Sequence, residues 1–170
     1  SDESDLLRDT GGAIKHAAPL LRQGPFLIHN VDIISNLDLD GLYRAHMEDK
    51  EKPIATLLVS SRETSRYFLF NDRMRLVGWI NKSTSEVKSP YPEIAEQPVE
   101  ELVKSYRTLA FGGMHVISPD IFPLMEEPAW GEKFPIVDFY LAAARDHLIR
   151  GYEAPAGTVL TDVGKLDQIK

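Results

Sequence analysis

Two carboxylates follow apolar runs in this chain, and each stands where a hard cation could be held. Phe26-Leu27-Ile28-His29 is followed by Asn30-Val31-Asp32, and Thr158-Val159-Leu160 by Thr161-Asp162-Val163-Gly164. In open α/β sheets, ligands gather beyond the carboxyl ends of the strands. An acidic residue leaving a buried strand suits a hard cation or a ribose hydroxyl, and equally suits the capping of a turn. If the two strands are neighbours, Asp32 and Asp162 can share one Mg2+, an ion that favours a few carboxylates completed by substrate phosphates.

Other groups have two readings each. Asp9-Thr10-Gly11-Gly12 stands before a helical pattern. Backbone amides at a Gly-rich helix start hold anions or admit a flat ligand, and the same residues make a plain turn and N-cap. Gly112-Gly113 lies inside the apolar run LAFGGMHVI. Glycine weakens a strand, so either a bulge sits there or a ligand lies against the backbone. Asp38-Leu39-Asp40 has the Asp-x-Asp pattern that nucleotide-sugar glycosyltransferases use for a metal, but it opens a helix and reads as a capping pair. His16, His29, His46, His115 and His147 show no paired metal spacing, and His29 and His115 read as core or sheet residues. No Gly-x-Ser-x-Gly segment and no P-loop is present.

The elements that must position these residues follow from hydrophobic spacing. Strands are predicted over 25–29, 53–60, 109–117 and 158–163, with a hairpin formed by 67–70 and 75–80. Helices are predicted over 12–22, 38–49, 119–125 and 136–150, the second capped by Asp38. Residues 81–98, rich in Ser, Pro, Glu and Lys, read as a long surface loop broken by Pro90, Pro92 and Pro98. The early segments alternate strand and helix and the later ones insert antiparallel strands. The expectation is an α/β domain with a mixed, mainly parallel sheet and flanking helices, a single domain over 1–170.

Composition narrows the function classes. Of the 170 residues, 43% are hydrophobic and 26% charged, the balance of a soluble globular protein. The chain has no cysteine, which excludes disulfides, thiol nucleophiles and zinc or iron–sulfur sites built on its own thiolates. Nineteen basic against 26 acidic residues give a formal charge of −7, and no basic run is interleaved with aromatics, which argues against a nucleic-acid partner. No apolar run approaches the roughly 20 residues that span a bilayer, so no membrane partner is expected. The opening SDESDLLRDT is acidic and polar and does not read as a signal peptide.

The ordered segments DTGGAIKHA, PFLIHNVDI, LVGWINK, LAFGGMHVIS, EKFPIVDFYLAAA and TDVGKLDQI resemble one family. It is the sugar-1-phosphate nucleotidyltransferases, especially those like mannose-1-phosphate guanylyltransferase and N-acetylmuramate-1-phosphate uridylyltransferase. The resemblance implies a Rossmann-like nucleotide-diphospho-sugar transferase fold. It also implies a Mg2+-dependent reaction of an NTP with a sugar 1-phosphate that gives an NDP-sugar and pyrophosphate. By resemblance, Asp32 and Asp162 match the metal-binding aspartates, and Gly11 and Gly12 match the turn beside the nucleotide. Glu3 falls in the segment that edges the base, and Gly113 matches the glycine whose backbone faces the sugar. Lys82 falls near the family's Glu-Lys-Pro sugar-phosphate segment, which here reads Asn81-Lys82-Ser83 without the acid and the proline. Asp138 aligns with an acidic position that is either sugar-facing or a helix residue.

The family opens with a strand and a Gly-rich loop of the type Ala-Ala-Gly-x-Gly-Thr-Arg, which grips the triphosphate, followed later by a Pro-Lys pair. Neither occurs in this chain. The expectation is a C-terminal portion starting roughly 80 residues into such a protein, incomplete at its N-terminus and inactive alone. Its open sheet edges would be covered by the lost fragment or by a second copy, a homo-oligomer. An NTP substrate and the lack of a targeting signal imply a cytoplasmic location. Two alternatives stand beside the enzyme. One is a non-catalytic binding or regulatory module, favoured by Val31 and Asn81 where the family carries Gly and Glu. The other is a related-fold glycosyltransferase using Asp38 and Asp40.

Overall fold

A computed structural model describes residues 10–21, 24–29, 33–35, 39–131, 133–153 and 160–162. In chain order the elements begin with α1 (Thr10–His16), α2 (Ala18–Leu21), β1 (Phe26–His29), β2 (Ile33–Ser35), α3 (Leu39–Glu48) and β3 (Ala55–Ser60). The hairpin strands β4 (Arg66–Phe70) and β5 (Leu76–Asn81) follow, then β6 (Glu86–Lys88), α4 (Pro92–Ala95) and α5 (Val99–Ser105). The long strand β7 (Arg107–Ile117) leads to a 3-10 turn at Pro119–Ile121, α6 (Phe122–Met125) and a second 3-10 turn at Pro128–Trp130. Last come α7 (Ile136–Ala143), β8 (Ile149–Glu153) and β9 (Leu160–Asp162).

The main sheet has seven strands in the order β6-β5-β4-β7-β3-β8, with β1 also paired to β7. Ile117 opposes Phe26 on one edge of β7 and Ala55 on the other, so β1 and β3 flank β7. β4 shares the β1 side, at the start of β7, where Phe68 opposes Leu109. β2 and β9 form a separate two-stranded sheet.

The α/β class, the mixed sheet and the flanking helices are as expected, but the sheet is not mainly parallel. Among the described strands, β3–β8 is the one parallel pair, and the other pairings are antiparallel. The alternation β1-α3-β3 does give two strands running the same way, as a βαβ unit requires. They are not hydrogen-bonded to each other, because β7 lies between them and runs opposite to both.

The consecutive residues Leu57, Leu58 and Val59 are all fully buried, so both faces of β3 are covered. Leu57 and Val59 join Phe68, Phe70, Phe139 and Tyr140 in a core closed by α1, α6 and α7. Leu58 joins Leu42 of α3 and Val116 on the other face. Farther along that face, α4 and α5 place Ile94, Val99 and Leu102 on Tyr67, Leu69 and Ile80. Each such aliphatic or aromatic side chain contributes on the order of 1.5–3 kcal/mol by leaving water.

Three element boundaries differ from the sequence reading. The helix expected to reach residue 150 ends at Ala143. Ile149 and Arg150 are instead the first residues of β8, where Ile149 is fully buried and opposes Ala55. Residues 81–98 are not one loop. They contain β6 and α4, with Pro92 at a helix start, where its missing N–H costs nothing. The helix expected over 12–22 is two pieces, α1 and α2, separated at Ala17. Asp38, the expected cap of α3, lies outside the described residues.

Candidate functional site

The candidate site lies where β1 ends. β1, β3 and β8 run in one direction, so their carboxyl ends lie at one end of the sheet. At that end His29, the last residue of β1, opposes Met114 of β7. Immediately before Met114 the β3–β7 ladder shifts register. Leu57 opposes His115, whereas Val59 opposes Phe111, so β7 carries two more residues than β3 across this step. Gly112 and Gly113 occupy the insertion, and Gly113 has φ +81°, a conformation costly for any other residue. The bulge reading of this glycine pair is therefore correct, and it lies beside the end of β1.

A second group of candidate residues lies on β2 and β9, which form a two-stranded sheet of their own. In their register Ile33 opposes Asp162. Asp32 precedes Ile33 in the chain and lies, like Glu3, outside the described residues. Paired antiparallel residues have Cα atoms about 4.5–5.5 Å apart. The pairing thus seats Asp162 opposite the immediate chain neighbour of Asp32. Among the described residues, no cluster of three or more His, Cys, Asp or Glu side chains could hold a metal on its own. Two carboxylates completed by phosphate oxygens fit the way Mg2+ is bound.

Gly11 and Gly12 are buried in the first turn of α1. A Cβ on Gly11 would stand 2.2 Å from the ring of Phe134, so the close approach made possible there is to an aromatic side chain. Phe134 belongs to a cluster with Trp130 and Phe139, centroids 5.2 to 5.9 Å apart, that docks the start of α7 on α1. The Lys15 ammonium donates to the Gly131 carbonyl at 2.8 Å and ties the same segments.

Lys82 and Asp138 have protein partners of their own. The Lys82 ammonium sits 4.6 Å from the centroid of the Tyr67 ring. The Asp138 carboxylate, in the first turn of α7, pairs with the Lys88 ammonium at 3.1 Å, and that ammonium also lies over Trp79 at 5.0 Å. Asn81 is a turn builder: its Oδ1 accepts from the Ser83 and Thr84 amides at 2.9 and 3.3 Å. These bonds shape the turn between β5 and β6.

Two histidines are buried. His115 Nδ1 hydrogen-bonds the Tyr140 hydroxyl, and the ring meets Phe111 and Tyr140 edge to face. Burial pushes the His115 imidazole down to about 3 and raises the Tyr140 phenol well above its ordinary range. His46 bridges Thr56 and Ser118, each at 2.7 Å, and fastens α3 to β3. Burial lowers its pKa, against an opposing pull from Asp49. Both therefore act as neutral packing and hydrogen-bonding groups.

One residue of this region escaped the sequence reading. Arg62, just past the end of β3, donates from its guanidinium to the Phe111 carbonyl at 3.2 Å, next to the bulge. The rule that singled out carboxylates after strands would have found it, had it been applied to cations.

No family model matches the sequence. A UTP–glucose-1-phosphate uridylyltransferase of Pseudomonas aeruginosa is 28% identical over 154 residues, 86% of this chain and 51% of that protein. The chain spans about half the length of this curated relative. Solved structures cover nearly all of it. A Bacillus anthracis protein assigned as a glucose-1-phosphate thymidylyltransferase, in complex with a sucrose, has a TM-score of 0.64 at 17% identity, over 99% of this chain and 60% of its own. The chain has the fold of a sugar-1-phosphate nucleotidyltransferase. A UDP-glucose pyrophosphorylase complexed with UDP-glucose superposes at TM-score 0.60 and 16% identity, over 95% of this chain and 59% of its own. The inositol-1-phosphate CTP transferase of T. maritima gives 0.58 at 13%, over 95% and 57%. The family resemblance read from the sequence is what these comparisons find, and this nucleotidyltransferase fold places the bulge of β7 beside the end of β1.

Proposed function

We propose that the protein carrying this chain is a sugar-1-phosphate nucleotidyltransferase acting in the cytoplasm, with these 170 residues forming one part of its catalytic domain. The observation that carries the reading is the β2–β9 register, which seats Asp162 opposite Ile33 and so beside the chain position of Asp32. In this reading the sugar phosphate oxygen attacks the α-phosphorus of the NTP. The α–β phosphoanhydride bond breaks, and pyrophosphate leaves. Asp32 and Asp162 would hold a Mg2+, which when bound supplies charge neutralisation on the phosphates. The backbone at Gly113 would face the sugar, and Gly11 and Gly12 would line the nucleotide side. Lys82 would sit near the sugar phosphate, released from Tyr67, and Asp138 near the sugar if freed from Lys88. No Gly-x-Gly-Thr-Arg loop is present in the sequence, and the chain alone is proposed to be inactive. The test is product formation by the full-length protein. Phosphorus NMR of NTP and sugar 1-phosphate mixtures should show a diphosphodiester signal growing together with pyrophosphate. Hydrolysis to NDP and phosphate without that diester would reject the proposal.

A further inference from the structure

We propose that Arg62 is a positioning residue for sugar binding, fixing the stretch of β7 that carries Gly113; this rests on the nucleotidyltransferase reading above. β3 ends at Ser60, and half-buried Arg62 follows at the sheet end where β1 also stops. Its guanidinium donates to the carbonyl of Phe111, the residue next to the register shift. Beyond it come Gly112 and Gly113, the latter at φ +81°, then Met114 opposite His29.

The other edge of β7 explains why a tie is needed. Pairing with β4 runs from Arg107 to Leu109, and pairing with β1 starts at Met114. Among the described residues, no strand pairs with 110–113 on that side. A two-glycine insertion with a ladder on one edge only has backbone freedom to spare. A hydrogen bond from a charged donor, stronger than one between neutral groups, holds the carbonyl before it. A displaced backbone at a substrate-facing position weakens the binding of the substrate that it faces.

The experiment compares Arg62→Met and Arg62→Lys in the full-length protein, after thermal melts show both folded. Arg62→Met should speed amide exchange at Gly112, Gly113 and Met114 at least about tenfold and leave Leu57 and Leu58 unchanged. It should raise the KM for sugar 1-phosphate about tenfold, with the NTP KM and kcat within about twofold. Arg62→Lys, which keeps a charged donor, should restore part of both effects. Unchanged exchange at 112–114 in folded Arg62→Met, or an equal rise in both KM values, would overturn the assignment. If the wild-type protein transfers no nucleotide, the function reading fails separately, and the exchange rates alone decide whether Arg62 holds the bulge.

Discussion

Gly113 and Gly11 are glycines for different reasons. Gly113 holds φ +81° within a strand, whereas Gly11 leaves room for the Phe134 ring. Gly11→Ala should therefore cost about 1–3 kcal/mol through overpacking, read as a lower midpoint in urea. A tolerated substitution would mean that Phe134 can move aside. His115 makes a pH-dependent prediction. In the unfolded chain its imidazole titrates near 6.5, and in the folded protein near 3. The unfolded state therefore takes up a proton that the folded state refuses as pH falls. The stabilising effect of burying the neutral ring is whole above about pH 6.5 and is lost as pH falls toward 3. Between pH 7 and 4.5, the wild type should lose about 2–3 kcal/mol more than His115→Gln, measured by urea melts at both values. Equal losses would show that His115 does not resist protonation. The sequence identified this histidine as a core residue by its apolar neighbours. Its partner Tyr140, 25 residues away on another element, carried no local signal.

Strand β8 shows what local pattern does not reveal. It is pinned on both sides: by its parallel pairing with β3, and by the turn after β4, where the Gly151 amide donates to the Met74 carbonyl at 2.8 Å. Arg150 adds a polar clamp, with bonds of 2.8 and 3.1 Å to Asp49, 2.7 Å to Glu51 and 2.8 Å to the Arg73 carbonyl. The Arg150 hydrogen bond holds the Asp49 carboxyl below its usual range. Arg150→Met should destabilise by about 1–3 kcal/mol, and a double-mutant cycle with Asp49→Asn should return a coupling of about 1 kcal/mol or more. Additive losses would mean the clamp is only apparent. Ile149 continued the apolar spacing of the preceding helix, so sequence periodicity ran on into the strand. In the same way, the prolines of 81–98 signalled a loop, although Pro92 begins a helix. The strands with clear apolar runs were legible: β3 and most of β7 are buried on both faces, which demands such runs, and β1 lays half-buried Phe26, Leu27 and Ile28 against the two cores. That β7 would insert between β1 and β3 was not, because strand order depends on contacts distant in sequence.

For the whole molecule, segment order was the informative signal. Segments spread across the chain, from DTGG to TDVG, carried the resemblance, and the solved nucleotidyltransferases share the fold at 13 to 17% identity. The β7 bulge could be anticipated from Gly112-Gly113, since such a pair inside an apolar strand has few uses. That Asp162 would come beside the chain neighbour of Asp32 was expected from the resemblance, which makes both metal-binding aspartates, whereas β2 itself, three residues long, gave no local signal. Asp32 and Asp162 are proposed to serve nucleotidyl transfer. The most direct measurement is pyrophosphate release by the full-length protein, supplied with an NTP, a sugar 1-phosphate and Mg2+, for wild type, Asp32→Asn and Asp162→Asn. Release should require both substrates and fall at least about 100-fold in either variant, with unchanged thermal melts. Turnover within a few-fold of wild type in both variants would contradict that role.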